Sequence, residues 1–431
     1  TLTVREQADL GIVGLGVRTN NALFDLRLLD GSLNISGPIN AIGGDVTLNV
    51  SQGGISGSGL VTGNALSVRA SRTSSLTTSV NSVTGTLTGA SQTLSISEAN
   101  GLAVGAANLV ASGSAAQIVV NVAAGNLTGA GSIQANSGAS GITLTTSNGS
   151  INMTGAVNAG TAGTASLTAS GIINLPAAEQ ITAKTLRSNS VGSTTVGTNI
   201  AELSAVVTGA GSTLTVVERD GFTVLSNTAI TNNGDISLTA GNTAGGDLVI
   251  NGPVSAGNRN VTLTNNNGGI RFNGNGLVSG ANLSVTSLNA VNLATNVATL
   301  TANVTGSGQT LRIRETNDLS IATGNVVTNG GAINVTLTTG NLTGVGTVNA
   351  GGGNVTLGAI AGNVTLSAVN QVTGDVLNVA ARDSSLLRTN VNGVTGVMSG
   401  SGASLTVTDV SDLRVDGITT TNGAVSLTTL A

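Results

Sequence analysis

The 431-residue chain contains no cysteine, histidine, tryptophan or tyrosine, and it has only 3 proline, 3 phenylalanine and 2 methionine residues. The lack of cysteine excludes a disulfide scaffold. Without cysteine and histidine, Ser-His-Asp and Cys-His catalytic arrangements and the usual zinc and haem ligand sets are also excluded. Globular cores normally depend on large aromatic side chains, so this chain must instead bury small aliphatic side chains in a regular, closely spaced arrangement.

Charge is also scarce, since charged residues make up 8% of the chain and the formal net charge is −4. This gives no basic surface for nucleic acid or for anionic lipid. No apolar run approaches the roughly 18 to 20 residues of a membrane-spanning helix. The hydrophobic fraction of 39% argues against disorder. We therefore expect an ordered protein with no nucleic-acid partner, no membrane insertion and no cofactor.

What the sequence does contain is repetition. Five segments align without gaps, and each reads aliphatic, x, aliphatic, x, acid, three turn residues, apolar, x, aliphatic; they are residues 2–12, 94–104, 214–224, 311–321 and 405–415. The repeated acids are Glu6, Glu98, Glu218, Glu315 and Asp409. A leucine lies at one constant distance before the start of each of the last four segments, at Leu66, Leu186, Leu283 and Leu377. One unit of variable length has therefore been copied in tandem.

A shorter period runs inside each unit. Aliphatic positions recur at one spacing in Ile35/Ile55, Val46/Leu66, Leu48/Val68, Val335/Val355 and Leu337/Leu357, and at a spacing two positions longer in Val355/Leu377 and Leu357/Val379. Alternating segments such as ITLTT from Ile142 and VTLTN from Val261 are separated by turns rich in glycine and asparagine. This predicts an all-β fold, a right-handed parallel β-helix (β-solenoid) with three short strands in each coil of about 20 to 24 residues.

We expect residues 1–431 to form a single continuous β-solenoid. Its super-repeats, each roughly 92 to 120 residues long, would be 1–93, 94–213, 214–310 and 311–404, followed by the partial repeat 405–431. About 20 coils at the parallel-strand spacing of ~4.8 Å would give a rod on the order of 100 Å long.

Coil length, the tandem recurrence of motifs such as GNLTG (125–129 and 340–344) and the bias towards Thr, Asn and Gly carry a resemblance. The chain resembles the shaft of filamentous haemagglutinin-like exoproteins, large bacterial adhesins exported by two-partner secretion. The resemblance implies a structural or adhesive segment of a secreted cell-surface protein. The Asn-Pro signatures of the family's secretion domain are missing, since Pro38, Pro176 and Pro253 follow Gly, Leu and Gly.

The repeated acids are the best candidates for a polar site. One hypothesis makes them a surface row that binds Ca²⁺ or a basic partner; the favoured one makes each acid a corner residue that accepts backbone N–H bonds in the following turn, often beside an arginine such as Arg5 or Arg314. The calcium-type motifs GGDVTL at Gly43 and GGDLVI at Gly245 are isolated, so we predict no metal site.

A phenylalanine in a repeated segment, a two-residue insertion and the Asn-x-Ser/Thr sequons lead to further predictions. Phe222 takes a position that is leucine in the other segments, which predicts a core residue. Arg271 and Phe272 form an insertion predicted to lie on a loop, where the pair is either a contact site or, in the favoured interpretation, an exposed aromatic residue with no specific role. The sequons at Asn34, Asn126, Asn260, Asn303, Asn354 and Asn363 follow from the strand pattern itself, and we expect stacked asparagine side chains to form amide ladders instead.

The favoured function is a rigid shaft on the bacterial surface. Its expected partners are further segments or copies of the same protein, end to end, together with host-cell, neighbouring-cell or glycan receptors. One alternative is a polysaccharide lyase or hydrolase, but the sequence shows no cluster of acids and bases, so we predict no enzyme and no catalytic residues. Another is a flat face of Thr-x-Thr rows that binds ice or polysaccharide, although the linear spacing of these threonines varies from coil to coil.

Overall fold

The computed structural model describes residues 1–430, apart from the side chains of residues 227 and 228. All the regular elements of this part of the chain are β-strands, and none of it is helical. About 19 coils of about 22 residues stack as a parallel β-solenoid, which confirms the predicted fold class. The chain divides into two compact units, Thr1–Val217 and Glu218–Ala431.

The first unit contains the strands β1 (Leu2–Glu6), β2 (Leu10–Ile12), β3 (Val17–Asn20), β4 (Phe24–Leu28), β5 (Leu33–Ile35), β6 (Ile39–Ile42), β7 (Val46–Val50), β8 (Ile55–Ser56), β9 (Leu60–Ala70), β10 (Ser74–Leu87), β11 (Thr93–Glu98), β12 (Leu102–Ala111), β13 (Gln117–Val122), β14 (Leu127–Gly129), β15 (Ile133–Gln134), β16 (Gly141–Thr146), β17 (Ile151–Met153), β18 (Val157–Ala169), β19 (Ile173–Leu175), β20 (Ile181–Ser190) and β21 (Thr194–Ala210). β22 (Leu214–Glu218) spans the division.

The second unit contains β23 (Phe222–Asn232), β24 (Ile236–Ala240), β25 (Leu248–Ile250), β26 (Val254–Ser255), β27 (Asn260–Asn265), β28 (Ile270–Phe272), β29 (Val278–Ser287), β30 (Val291–Ser307), β31 (Leu311–Glu315), β32 (Leu319–Asn329), β33 (Ile333–Leu337), β34 (Leu342–Gly344), β35 (Val348–Asn349), β36 (Val355–Ala359), β37 (Thr365–Leu366), β38 (Val372–Ala381), β39 (Ser385–Ser401), β40 (Leu405–Asp409), β41 (Arg414–Thr421) and β42 (Val425–Thr429).

In each unit, strands of successive coils pair in parallel at fixed register. Unit 1 stacks Leu2, Phe24, Val46, Leu66 and Val83 in one column. Unit 2 repeats the arrangement with Leu311, Ile333, Val355, Leu377 and Val394. Each coil thereby completes the hydrogen bonds of its neighbours and covers their apolar side chains, which a single coil cannot do alone. The division of the chain into super-repeats stays a prediction.

The core consists of the inward-facing residues of each strand. In β7, Val46, Leu48 and Val50 are fully buried while the residues between them are half-exposed, and the same alternation recurs in most strands. Small aliphatic side chains fill most of this core. Phe222 is buried as predicted, and Phe24 is the other buried aromatic residue among the described side chains.

Only some of the predicted register pairs are correct. Val46/Leu66, Leu48/Val68, Val355/Leu377 and Leu357/Val379 are partners across adjacent coils. Ile35/Ile55, Val335/Val355 and Leu337/Leu357 are wrong by two positions, because Ile55 pairs with Leu33, Val355 with Ile333, and Leu357 with Val335. Side chains alternate with period two, so a shift of two positions buries the same kind of side chain and leaves the sequence pattern intact.

One coil type, called the short coil below, uses fewer residues than the rest. In this coil, a residue and its register partner in the preceding coil are separated by fewer positions of the sequence than in the other coils. Examples are Leu66/Val83, Leu186/Leu203, Leu283/Leu300 and Leu377/Val394. The coil saves residues because a single long strand continues around a corner where other coils have a separate turn; these strands are β10, β21, β30 and β39, of 14, 17, 17 and 17 residues. Each of the last four acidic segments follows such a strand.

Asparagine side chains organise many corners. Asn108, Asn233 and Asn325 have positive φ, and each side-chain oxygen accepts the backbone N–H of a residue in the next coil, at 2.8, 3.0 and 2.8 Å. Asparagine adopts this backbone conformation more readily than most residues. Elsewhere stacked amides bond directly, as in the donation from Asn174 to Asn152 at 3.0 Å and from Asn282 to Asn260 at 2.7 Å. The expected bonding of stacked asparagine amides is therefore present in these pairs of adjacent coils.

Candidate functional site

The repeated acids lie inside the solenoid. Glu98 is 1% exposed, and its Oε2 accepts hydrogen bonds from Thr78 Oγ1 at 2.8 Å and from the Val80 backbone N–H at 3.1 Å. Its other oxygen accepts the Asn100 N–H at 3.0 Å, in the turn that follows. Both oxygens of the carboxyl group are thus satisfied by one neighbouring coil and by its own turn, as a buried polar group requires.

Two further acids repeat this arrangement in the second unit. Glu315 accepts bonds from Thr295 Oγ1 at 2.7 Å and Val297 N–H at 3.1 Å, and Asp409 accepts bonds from the Thr389 hydroxyl and from Val391 N–H at 3.0 Å. The turn after each acid contributes N–H donors, from Thr316 and Asn317 in one case and Ser411 in the other.

The location of these bonds explains their recurrence. Thr78, Thr295 and Thr389 pair in register with Glu98, Glu315 and Asp409 on the adjacent strand. Two positions after each threonine, the long strand of the short coil passes around a corner. The backbone N–H of the valine at that point, Val80, Val297 or Val391, donates to the carboxylate instead of to a backbone carbonyl. The acid therefore completes the hydrogen bonding of a corner that has no separate turn.

The remaining two acids differ in what surrounds them. Glu218 is fully buried. Glu6 is exposed, and its carboxylate accepts the N–H of Gln7 at 2.8 Å.

These contacts decide between the two hypotheses about the acids. Four of the five carboxylates are buried, so a row of surface carboxylates is wrong, and acceptance of turn N–H bonds is confirmed for Glu98, Glu315 and Asp409. The guanidinium of Arg314, the arginine beside Glu315, lies 5.5 Å from the centre of the Phe272 ring.

The threonine partners were missed, although the sequence holds their signal. Four threonines precede the four buried acids at one constant separation; they are Thr78, Thr198, Thr295 and Thr389. A threonine that keeps the same distance from an acid in every unit indicates that the two side chains are neighbours on adjacent coils.

The two GGD motifs have ordinary structural roles. Asp45 accepts bonds from Asn64 Nδ2 and Ala65 N–H, both at 3.1 Å. Asp247 accepts the Gly269 N–H at 3.0 Å and pairs with Arg271 at 3.0 Å. Within residues 1–430, no group of three or more acids is arranged to hold a metal ion.

Arg271 and Phe272 are not on a loop. They belong to β28, where Arg271 pairs in register with Val249 and Asn292, so the prediction of an exposed loop is wrong. Arg271 still points outward, with 52% of its side chain exposed, and Phe272 is half-buried. The two-residue insertion extends the strand before the turn begins.

Hydroxyl side chains form aligned rows on one outward face of unit 2. Ser237 pairs with Thr262 and then Ser284, and Thr239 pairs with Thr264 and then Thr286. Ser237 and Thr262 lie farther apart in the sequence than Thr262 and Ser284 do, yet both pairs are in register on adjacent strands. The linear spacing of these hydroxyl residues varies, as the sequence indicates, but their alignment is kept in these three coils because the extra residues lie in the corners.

Among the sequon asparagines, Asn34, Asn126, Asn260, Asn303 and Asn354 are exposed and Asn363 is half-buried. Several hold neighbouring coils together: Asn126 accepts the Ser150 N–H at 2.9 Å, and Asn354 accepts the Val376 N–H at 3.2 Å. These bonds agree with a structural role for the asparagines, and glycosylation stays untested.

No helix in residues 1–430 is long and apolar enough to cross a membrane. Comparison with known proteins gives no match to a family model, to a curated protein or to a solved structure.

Proposed function

We propose that this protein is a stiff structural or adhesive segment of a bacterial cell-surface protein, with no catalytic role. Within each unit, every coil pairs with the next over several residues at constant register, as in the five consecutive partners of β4 and β7. Bending or separating coils breaks many hydrogen bonds together and exposes core side chains. This continuous pairing is the observation that carries the proposal.

The polar residues support the same role. The buried acids Glu98, Glu315 and Asp409 are engaged in hydrogen bonds between coils and within turns, and bonded asparagine pairs join adjacent coils. A lyase or hydrolase would need its carboxylates facing a groove where they can reach substrate. These carboxylates face the core instead.

Secretion and a cell-surface location belong to the proposal, as does end-to-end contact with further coils of the same protein. They rest on the sequence resemblance to filamentous haemagglutinin-like shafts, with their tandem coils and their bias towards Thr, Asn and Gly.

Electron microscopy of the purified chain tests the proposal, together with incubation against a panel of neutral and acidic polysaccharides. In the micrographs we expect thin, straight particles about as wide as one coil. In the polysaccharide incubations we expect no new reducing ends and no unsaturated sugars. Compact globular particles, or steady release of cleaved sugars, would refute it. In the parent bacterium, antibody labelling of intact cells should detect the protein at the surface, and label confined to lysed cells would contradict the proposed location.

A second function is favoured by the hydroxyl rows. Ser237, Thr239, Thr262 and Thr264 form a grid with about 6.7 Å between alternate residues of a strand and about 4.8 Å between coils. Such a grid can match an ordered solid surface, such as ice or crystalline polysaccharide. Replacing Thr262 and Thr264 with valine should abolish adsorption of the protein to ice or to crystalline polysaccharide. A control variant carries the same replacements at Thr336 and Thr356 and should still adsorb. Equal adsorption by the two variants excludes this function.

A further inference from the structure

Three arginines lie close together on one outward surface of unit 2. The arginine face consists of Arg271, Asn292, Arg312, Arg314 and the ring of Phe272. Three of the chain's 15 lysine and arginine residues lie on this surface. The surface therefore differs from the Thr, Ser and Asn surfaces of most coils.

The strand register fixes the spacing of the positive charges. Arg271 pairs with Asn292, and Asn292 pairs with Arg312, so the two arginines lie two coils apart on the same column, about 10 Å at the parallel-strand spacing. Arg312 and Arg314 are alternate residues of β31 and point to the same side of the sheet. The face is thus a flat triangle of guanidinium groups.

The charges on this face are only partly balanced. Arg271 pairs with Asp247 at 3.0 Å, whereas within residues 1–430 neither Arg312 nor Arg314 forms an ion pair. Three arginines and one aspartate leave a net charge of +2. The nearest acid in the sequence, Glu315, faces the core and is 1% exposed. An anionic partner is the chemistry that complements this surface.

The half-buried aromatic ring adds an apolar component. Arg314 pairs in register with Ala294, whose methyl side chain leaves room for the guanidinium to extend over Phe272, 5.5 Å from the ring centre. Phe24 and Phe222 are buried, so Phe272 is the one phenylalanine of this chain that offers part of its ring to a ligand. Sugar rings pack well against such a surface.

A polar cleft lies beside the arginines. Its volume is about 460 Å³, and its lining includes Asp247, Arg271, Asn292 and Gln309. The side-chain oxygen of Asn292 accepts no hydrogen bond from the described residues. This oxygen is buried, so it does not contribute a contact to a ligand.

We propose that the arginine face binds an acidic polysaccharide that carries a carboxylate on alternate sugars. The separation of Arg271 and Arg312 is comparable to the length of one disaccharide, so successive carboxylates can meet successive arginines. The sugar between them then lies over Asn292, and an adjacent sugar packs against Phe272. This lateral binding site is additional to the role of a shaft and does not depend on it.

The test measures binding of hyaluronan oligosaccharides, which carry a carboxylate on alternate sugars, to the full chain by calorimetry at low salt. The double variant R312N/R314T introduces residue types that the next coil has at these positions, Asn334 and Thr336, so the strand pairing is retained. We expect its dissociation constant to rise about tenfold, because the contact of Arg312 with a carboxylate and the positive charge of Arg314 are both lost. F272L should raise it about threefold.

The matched control is R187S, which removes an exposed arginine from another face and places serine between its register partners Ser166 and Ser204. Its affinity should equal that of the unaltered chain, and circular dichroism should show that all variants keep their β-structure. Equal binding by R312N/R314T and R187S would overturn the proposal, and so would equal affinity for neutral dextran. Tighter binding of polyglutamate than of the glycan would assign the face to an acidic peptide and overturn it as well.

Discussion

The buried acids allow a sharp test of how the coils are held together. Replacing Glu315 with alanine removes an acceptor of four hydrogen bonds, from Thr295 Oγ1, Val297 N, Thr316 N and Asn317 N. The last two donors are in a turn where water can replace the carboxylate. The first two are buried: the Thr295 hydroxyl keeps only a long contact with the Arg314 carbonyl oxygen at 3.5 Å, and the Val297 N–H loses its partner without replacement.

The magnitude follows from these two donors. An orphaned buried donor costs about 1 to 3 kcal/mol, so the two together cost about 2 to 6 kcal/mol. Release of the carboxylate from its buried position offsets part of this cost, and we expect a net loss of about 3 kcal/mol for Glu315→Ala. Glu315→Gln keeps one acceptor oxygen but presents an NH₂ group to other donors, so we expect a loss of about 1 to 2 kcal/mol.

Hydrogen exchange is the suitable assay, because stacked coils open locally and a single global free energy is poorly defined for them. A loss of about 3 kcal/mol corresponds to roughly hundredfold faster exchange of the β30 and β31 amides. Glu6→Ala is the matched control. Glu6 occupies the equivalent position but is exposed, so exchange should change little. Similar exchange rates in the two variants would refute the role assigned to the buried carboxylate.

Two further predictions concern close packing and charge. Gly353→Ala places a methyl carbon 2.5 Å from the Gly331 carbonyl oxygen and should lower stability by about 1 to 3 kcal/mol, whereas Gly352→Ala meets nothing within 4 Å and should be neutral; equal thermal unfolding of both would contradict this. Hydrogen bonds from Arg414 lower the pKa of Asp416, so its stabilising contribution is present above the pKa of the unfolded chain and is lost as pH falls through the lower folded-state pKa. An NMR titration should show the Asp416 pKa rising in Arg414→Gln, and an unchanged titration would argue against this pair.

Much of the fold can be predicted from local pattern. The alternation in Val46, Leu48 and Val50 identifies inward positions, and the spacing of Val355 and Leu377 gives the correct coil length. These features are encoded within single coils, because each coil must present the same aliphatic surface to its neighbours.

The relations between coils were harder to predict. Alternation does not distinguish Val335 from Ile333 as the partner of Val355, since both face inward. Corners of variable length also hide alignments, which is why the hydroxyl row from Thr239 to Thr264 is invisible in linear spacing. Only the paired strands bring such residues together.

The candidate site shows the same limit. The acids were recognised from repetition, but their partners lie on another strand, as Thr295 does for Glu315. The constant separation of threonine and acid was the available signal. The partial burial of Phe272 and the reach of Arg314 across Ala294 depend on side-chain packing that no short motif encodes.

The register of stacked coils is the central claim, and paired cysteines test it most directly in a chain that has none of its own. Thr262 and Ser284 are register partners on an outward face, about 4.8 Å apart, within the range that a disulfide spans. Thr262 and Thr286 are offset by two further positions along the strand, about 8 Å apart and beyond that range. Mild oxidation should form an intramolecular disulfide in T262C/S284C and not in T262C/T286C. Preferential disulfide formation in T262C/T286C, or none in T262C/S284C, would contradict the parallel register on which this account depends.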